Sequence, residues 1–147
     1  METLAIVLAV LAVVTTGALA GLFYAYSMSV MWGLAAIPEE AAAAAMRSIN
    51  KKIINPWLML AFIGSMILDA AVAVLTGNVW FWAALAVNFV GSFLVTSIVN
   101  VPMNNAVDAG KLTFAEYQPR WTRWNTLRTV ASLASLALLA VGLLGWN

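Results

Sequence analysis

Polar positions in this chain are confined to a few short stretches, and the apolar blocks between them are long enough to cross a bilayer. A membrane helix needs about 20 mainly apolar residues. The first block runs from Leu4 to about Ala36 without a charge. It exceeds one crossing, so it is expected to tilt or to project beyond the bilayer. The second block, Trp57 to Leu75, carries one acid, Asp69. Thr76-Gly77-Asn78 reads as a tight turn into the third block, Val79 to Val99, and the fourth runs from Leu127 to Trp146. The pattern predicts an all-α integral membrane four-helix bundle, one membrane domain with spans at about 4–36, 57–75, 79–99 and 127–146.

Two polar connections remain. Pro38 to Asn55 opens on Pro-Glu-Glu and closes on Lys51 and Lys52. Proline at a first turn, acids next and bases last is the order a helix dipole favours, so this stretch predicts a short helix on the membrane surface between helices one and two. Val101 to Thr126 carries Asp108, Lys111, Glu116, Arg120 and Arg123, and extends the fourth helix beyond the membrane from about Phe114. Every Lys and Arg lies in these connections or, for Arg128, just past the second. By the positive-inside rule both connections face the cytoplasm and both termini lie outside. Trp80, Trp82 and Trp146 then fall at outer ends and Trp32, Trp57, Trp121 and Trp124 at inner ends, as an interfacial belt requires. The first block lacks the basic start of a secretory signal; its only early charge is Glu2.

Composition narrows the chemistry. Of 147 residues 64% are hydrophobic and 9% charged, against roughly a quarter charged in a soluble domain. The absence of Cys excludes thiolate nucleophiles, disulfides and iron–sulfur or thiolate zinc sites. The absence of His removes the usual haem, copper and zinc ligand and the usual general base. The carboxylates show no paired ExxE or ExxH pattern, so no metal site is expected. A net charge of +1 argues against a nucleic-acid partner. The expected partners are the lipid bilayer and a lipophilic small molecule.

Polar groups inside the blocks are the candidates for function. Gly17, Gly21, Ala25, Ser29 and Gly33 recur every fourth residue, a small-residue stripe suited to close helix packing within the bundle or between copies in a homo-oligomer. Asp69 and Asn88 stand at similar depths on either side of the tight turn. Either Asp69 is hydrogen-bonded by Asn88 or Thr15, or it handles protons. Asn100 and Asn104 flank Pro102. They share a face if the helix continues, or cap turns if it ends there. Trp121, Trp124, Asn125 and Arg128 follow steps of three, one and three, which places them on one face over two turns. They form either an aromatic belt with a snorkelling cation or an inward site, in which Arg128 needs partners. Tyr26 and Ser29 reach the same level from the first helix, and the surface helix adds Asn50 and Asn55. The inner end thus gathers Tyr, Asn, Trp and Arg, a set suited to a flat organic ligand rather than an ion.

Four blocks together resemble a known family. The segment from Gly21 to Met31, the Asn50 to Pro56 stretch, Asn100-Val-Pro-Met-Asn104 and Trp121-Thr-Arg-Trp-Asn125-Thr-Leu-Arg128 are similar to recurring blocks of the anthrone oxygenase-like family of small four-helix membrane proteins. The likeness spans nearly the whole chain and implies a bacterial inner-membrane protein. It also implies cofactor-independent oxygenation of an anthrone-like or phenolic substrate, with no metal or flavin. By that likeness Asn100, Asn104, Asn125 and Arg128 would carry the reaction, with Trp121, Trp124, Tyr26, Ser29 and Asn50 binding the rings. Arg128 and the amides would stabilise the oxyanion. A base is missing from this set; Tyr26 or a water held by Asn104 is the candidate, and Asp69 is too distant. Two other functions are open on the sequence: a non-catalytic lipid-binding or scaffold protein, and a small transporter or oligomeric channel using Asp69 and Asn88.

Overall fold

A computed structural model describes residues 2–145. Trp146, placed by the sequence in an outer aromatic belt, lies outside the described residues. Four helices are long and apolar enough to cross a membrane: α1 (Glu2–Ala35), α3 (Pro56–Thr76), α4 (Val79–Asp108) and α5 (Phe114–Leu144). Between the first two lies α2 (Glu39–Ile53). The fold is the all-α membrane bundle that the apolar blocks predict. In the bundle α1 packs against α3 and α5, and α4 against α5 and the nearer half of α3. The tight turn of residues 76–78 closes one end of the bundle; the two polar connections lie at the other, called here the polar end.

Local chemistry sets the helix limits. Gly77 adopts a left-handed conformation (φ 64°) that ends α3, and the Asn78 side chain accepts from the Trp80 N–H (2.9 Å) to start α4. Asn55 caps α3 by accepting from the Trp57 and Leu58 amides. It is therefore a cap and not a cavity residue. Thr113 and Glu116 form a reciprocal capping box at the start of α5, which anchors a helix of 31 residues, roughly 46 Å long. In α2 the acids Glu39 and Glu40 open the helix and Lys51 and Lys52 close it, as the dipole favours. Its buried stripe Ala42, Met46 and Asn50 lies against α4 and α5.

Helix α4 does not stop at Val99 but runs through Pro102 to Asp108. Pro102 has no amide hydrogen, and around it the helix loosens. Turns at Phe89–Leu94 and Thr96–Asn100 are π-helical, and the Val101 N–H reaches back five residues to the Thr96 carbonyl. A similar widening occupies Tyr26–Val30 of α1, where the Met31 N–H bonds the Tyr26 carbonyl. The Ser27 carbonyl, deprived of that donor, accepts from the Trp32 indole N–H instead (2.9 Å). Such widened turns concentrate at functional sites, and these lie at the polar half of the bundle.

Two apolar clusters hold the helices together. Near the tight turn, Ala9, Ala12, Val72, Ala73, Phe81, Ala84 and Leu139 interlock. At the polar end Met31, Met46, Val107, Phe114, Tyr117 and Trp121 do so. The closest helix approach falls at α4 and α5. A methyl added at Gly91 would overlap the Ala131 Cβ, and one at Gly142 would lie 2.7 Å from the Phe81 ring. The glycines singled out in the sequence are less confined: Gly17 faces Leu136 at 3.8 Å, and nothing lies within 4 Å of a methyl at Gly21. The Asp69 carboxylate is fully buried and accepts from the Asn88 amide (2.9 Å), which also reaches Ser65 Oγ (3.3 Å). Thr15 takes no part; its hydroxyl bonds the backbone of its own helix.

Candidate functional site

The α5 residues Trp121, Asn125 and Arg128 are four and three apart, so they stand in one row on the helix face turned toward the bundle axis. Each is buried, Arg128 to 5% exposure. The Asn125 amide nitrogen donates to the Phe23 carbonyl and to Ser27 Oγ, both at 2.7 Å. With both hydrogens committed to α1, its oxygen must face the other way. There it accepts from Arg128 Nη2 at 2.7 Å. Arg128 Nη1 donates to Thr96 Oγ1 at 3.0 Å, in the stretch where α4 widens. The guanidinium carbon sits 4.3 Å from the Phe23 ring centre and 5.1 Å from that of Trp121. Its hydrogen-bond partners are thus a hydroxyl and an amide, and its Nε has none among the described residues. A buried guanidinium held by neutral groups and ring faces leaves its positive charge uncompensated.

A second cluster lies nearer the polar end. The Asn104 oxygen accepts from Tyr117 OH (2.7 Å) and from the Trp121 indole N–H (2.8 Å). This fixes the Trp121 ring, against which Tyr26 packs at a tilt with centres 5.6 Å apart. One turn further along α4, Asp108 Oδ1 accepts from Asn50 Nδ2 of the surface helix (3.1 Å).

These groups surround a cavity of about 280 Å³. Its back wall is Phe23 and Tyr26 of α1 with Trp121, Asn125 and Arg128 of α5; its floor is Met46, Ile49, Asn50 and Ile53 of α2. The sides are Leu58, Met59 and Phe62 of α3, and Thr96, Val101, Asn104 and Asp108 of α4. The stacked rings of Phe62 and Phe93 (5.6 Å) bridge α3 and α4 at its roof. Below them the backbones of α3 and of residues 96–108 of α4 stand apart. Met59 and Val101 line the cavity and are also exposed on the bundle surface, so it opens sideways between the two helices.

Six of the residues singled out in the sequence meet at this cavity: Tyr26, Asn50, Asn104, Trp121, Asn125 and Arg128. Three do not line it. Ser29 is exposed and donates to the Ala25 carbonyl. The widened turn at Tyr26–Val30 holds more residues per turn than an α-helix, which rotates Ser29 off the face of Tyr26 and brings Ser27 to Asn125. Trp124 is 39% exposed and turned outward, at the margin of the row that Trp121, Asn125 and Arg128 share. Asn100 is buried one turn before Asn104, and its amide has no hydrogen-bond partner among the described residues. Trp121 itself leaves the aromatic belt: Trp32, Trp57, Trp80 and Trp82 are exposed, while Trp121 is a wall of the cavity. Asp108 and Thr96 are cavity residues that the sequence reading passed over. Asp108 stood as one charge among several in a connection, and only the continuation of α4 through Pro102 brings it to the wall.

The fold and cavity define a class: a small four-helix membrane bundle with a pocket whose walls are aromatic, amide and guanidinium. Residues 46–138, which include the cavity residues of α2, α3, α4 and α5, match the family model described as anthrone oxygenase. The chain belongs to that family. No curated protein and no solved structure matches the chain.

Proposed function

We propose that the cavity binds a flat, weakly acidic, lipophilic aromatic compound and that the protein oxygenates it without a cofactor, an anthrone-like or phenolic substrate being the class that fits. The observation that carries this reading is Arg128: a buried cation with no carboxylate partner among the described residues, set in a wall of aromatic rings. A site of that kind favours the anionic form of a ring compound over the neutral one. Trp121 and Tyr26 offer ring faces, and Asn104 and Asn125 are held in fixed orientation by their other hydrogen bonds.

An anthrone is a carbon acid whose enolate reacts with oxygen directly. The methylene loses a proton, and the enolate transfers electrons to O₂ and forms a C–O bond. Protonation of the peroxide and loss of water then leave a carbonyl. One oxygen atom enters the quinone and the other leaves as water; the methylene supplies all the electrons. The protein's part is to hold the ring plane and to place positive charge where the oxyanion develops. The ligand enters sideways from the bilayer through the gap between α3 and α4. The polar end, which carries the lysines and arginines, faces the cytoplasm of a bacterial inner membrane, with both termini outside.

The test is oxidation of an anthrone by the purified protein in lipid nanodiscs under ¹⁸O₂. Protein-dependent quinone formation with one labelled atom per product supports the reading. A rate equal to that of empty nanodiscs overturns it and leaves non-catalytic binding of a lipid or quinone, which the lateral opening also suits. Transport through Asp69 and Asn88 finds less support, because both are fully buried and neither lines the cavity.

A further inference from the structure

A side chain can recognise a ligand only with the hydrogens or lone pairs that its other contacts leave free, and this sorts the asparagines at the cavity. Asn125 spends both amide hydrogens on α1. Asn50 commits one hydrogen to Asp108. Asn105 lines the cavity but is exposed, and no hydrogen bond fixes its side chain among the described residues. Asn104 differs from all three. One branch of its amide receives Tyr117 OH at 2.7 Å and the Trp121 indole N–H at 2.8 Å, both from α5. Two donors on one atom identify that atom as the oxygen, so the nitrogen occupies the other branch. Nδ2 has no hydrogen-bond partner among the described residues and is not sealed from open space. Since Asn104 lines the cavity and its oxygen is turned to α5, the open space that Nδ2 meets is the cavity.

Resting on the reading that the cavity holds a flat ring compound, we infer that Asn104 Nδ2 is the specificity-determining donor for a second ligand oxygen, across the ring from the oxygen that meets Arg128. The ligand class narrows to compounds with oxygens at opposite edges of one ring, as in a quinone. In the oxygenation the second oxygen is the one that enters at the methylene.

Trp121 ties the two donors together. The Arg128 guanidinium carbon lies 5.1 Å from the centre of its ring, and its N–H ends 2.8 Å from the Asn104 oxygen. Joined through one indole, the guanidinium and the Asn104 amide stand within about 10 Å of each other. A molecule with oxygens roughly 5 Å apart across one ring, with a hydrogen bond of about 2.9 Å at each end, spans such an interval. The amide cannot turn over to offer its oxygen instead, because that would point its hydrogens at two donors, Tyr117 OH and Trp121 N–H.

Anthrone carries one oxygen and its quinone two. With anthrone held on Arg128, the Nδ2 hydrogens face a methylene and stay unmatched; with the quinone they are satisfied. The donor therefore acts on the oxygen as the new carbonyl forms, and the cavity holds product more tightly than substrate.

The test compares anthrone and anthraquinone, neither of which carries a phenol, by titration under argon with the protein in nanodiscs. Wild type should bind the quinone about 2- to 13-fold more tightly, the worth of one neutral hydrogen bond. Asn104→Asp keeps an oxygen for Tyr117 and Trp121 but replaces the free donor with an acceptor. It should lose or reverse this preference, with anthrone affinity near that of wild type and product inhibition of any turnover relieved. A second readout needs no affinity comparison. In anthraquinone with one ¹³C carbonyl, wild type should lower the labelled infrared stretch whichever way the molecule sits. Asn104→Asp should split it into a lowered band and one at its position in hydrocarbon. A wild-type spectrum that already shows the hydrocarbon-like band, or a preference equal in wild type and Asn104→Asp, overturns the assignment and leaves the ring-binding reading standing. Failure of wild type to bind either compound overturns both.

Discussion

Replacing Arg128 by methionine separates a ligand-binding charge from a structural one. In the bundle the guanidinium makes hydrogen bonds of 2.7 and 3.0 Å to neutral oxygens and packs on two rings. Methionine fills much of the same space without charge. Removing a buried cation that has no counter-ion among the described residues, in favour of an apolar side chain of similar length, is often neutral or stabilising. The melting temperature in detergent should therefore hold or rise. Affinity for an ionised ligand should fall, because a hydrogen bond to a charged group contributes about 1.5–3 kcal/mol, roughly 10- to 140-fold in Kd. The assay is a titration with a hydroxyanthraquinone and with its methyl ether, followed by ligand absorbance. Wild type should prefer the free phenol, whose anion it can hold. Arg128→Met should lose that preference and bind the ether as before. A melting temperature that drops while the preference persists would show that Arg128 holds the helices together and does not meet the ligand.

Three further outcomes follow from the packing. Gly91→Ala pushes a methyl into Ala131 and should destabilise the bundle by about 1–3 kcal/mol, whereas Gly21→Ala meets open space and should leave the melting temperature unchanged; equal melting of both would contradict the packing of α4 on α5. Asp69→Asn can still accept from Asn88 and sits away from the cavity, so ligand affinity in the same titration should be unaltered. The chain has no cysteine, so one introduced at Met59 or Val101 can be labelled alone. A bulky lipophilic maleimide there should slow ligand association in stopped-flow, and the same label at exposed Ile67, which does not line the cavity, should not.

Much of this arrangement was legible from spacing alone. The row of Trp121, Asn125 and Arg128 lies in unbroken α-helix, where intervals of three and four fix the face, and Asn104 shares that level because α4 continues. The misplaced residues have identifiable causes. Ser29 was assigned by α-helical geometry that the widened turn at Tyr26–Val30 does not obey. Pro102 marks where α4 loosens, but the chain alone left open whether the helix ends there, and with it the place of Asp108. Gly91 and Gly142 are close-contact glycines because of what stands on the neighbouring helix, Ala131 and Phe81, and no local pattern announces such a partner. The pairing of Asp69 with Asn88 was readable, since the tight turn folds equal depths onto each other.

The claim on which the account turns is that a ring compound occupies the cavity lined by Asn104, Trp121 and Arg128. A photoreactive anthraquinone with a small diazirine, cross-linked to the protein in nanodiscs and mapped by peptide mass spectrometry, tests it directly. Adducts should fall on residues 96–108 and 121–128, and should disappear when excess hydroxyanthraquinone is present. Adducts confined to the lipid-facing surface or to the end near Gly77, undiminished by competitor, would contradict it.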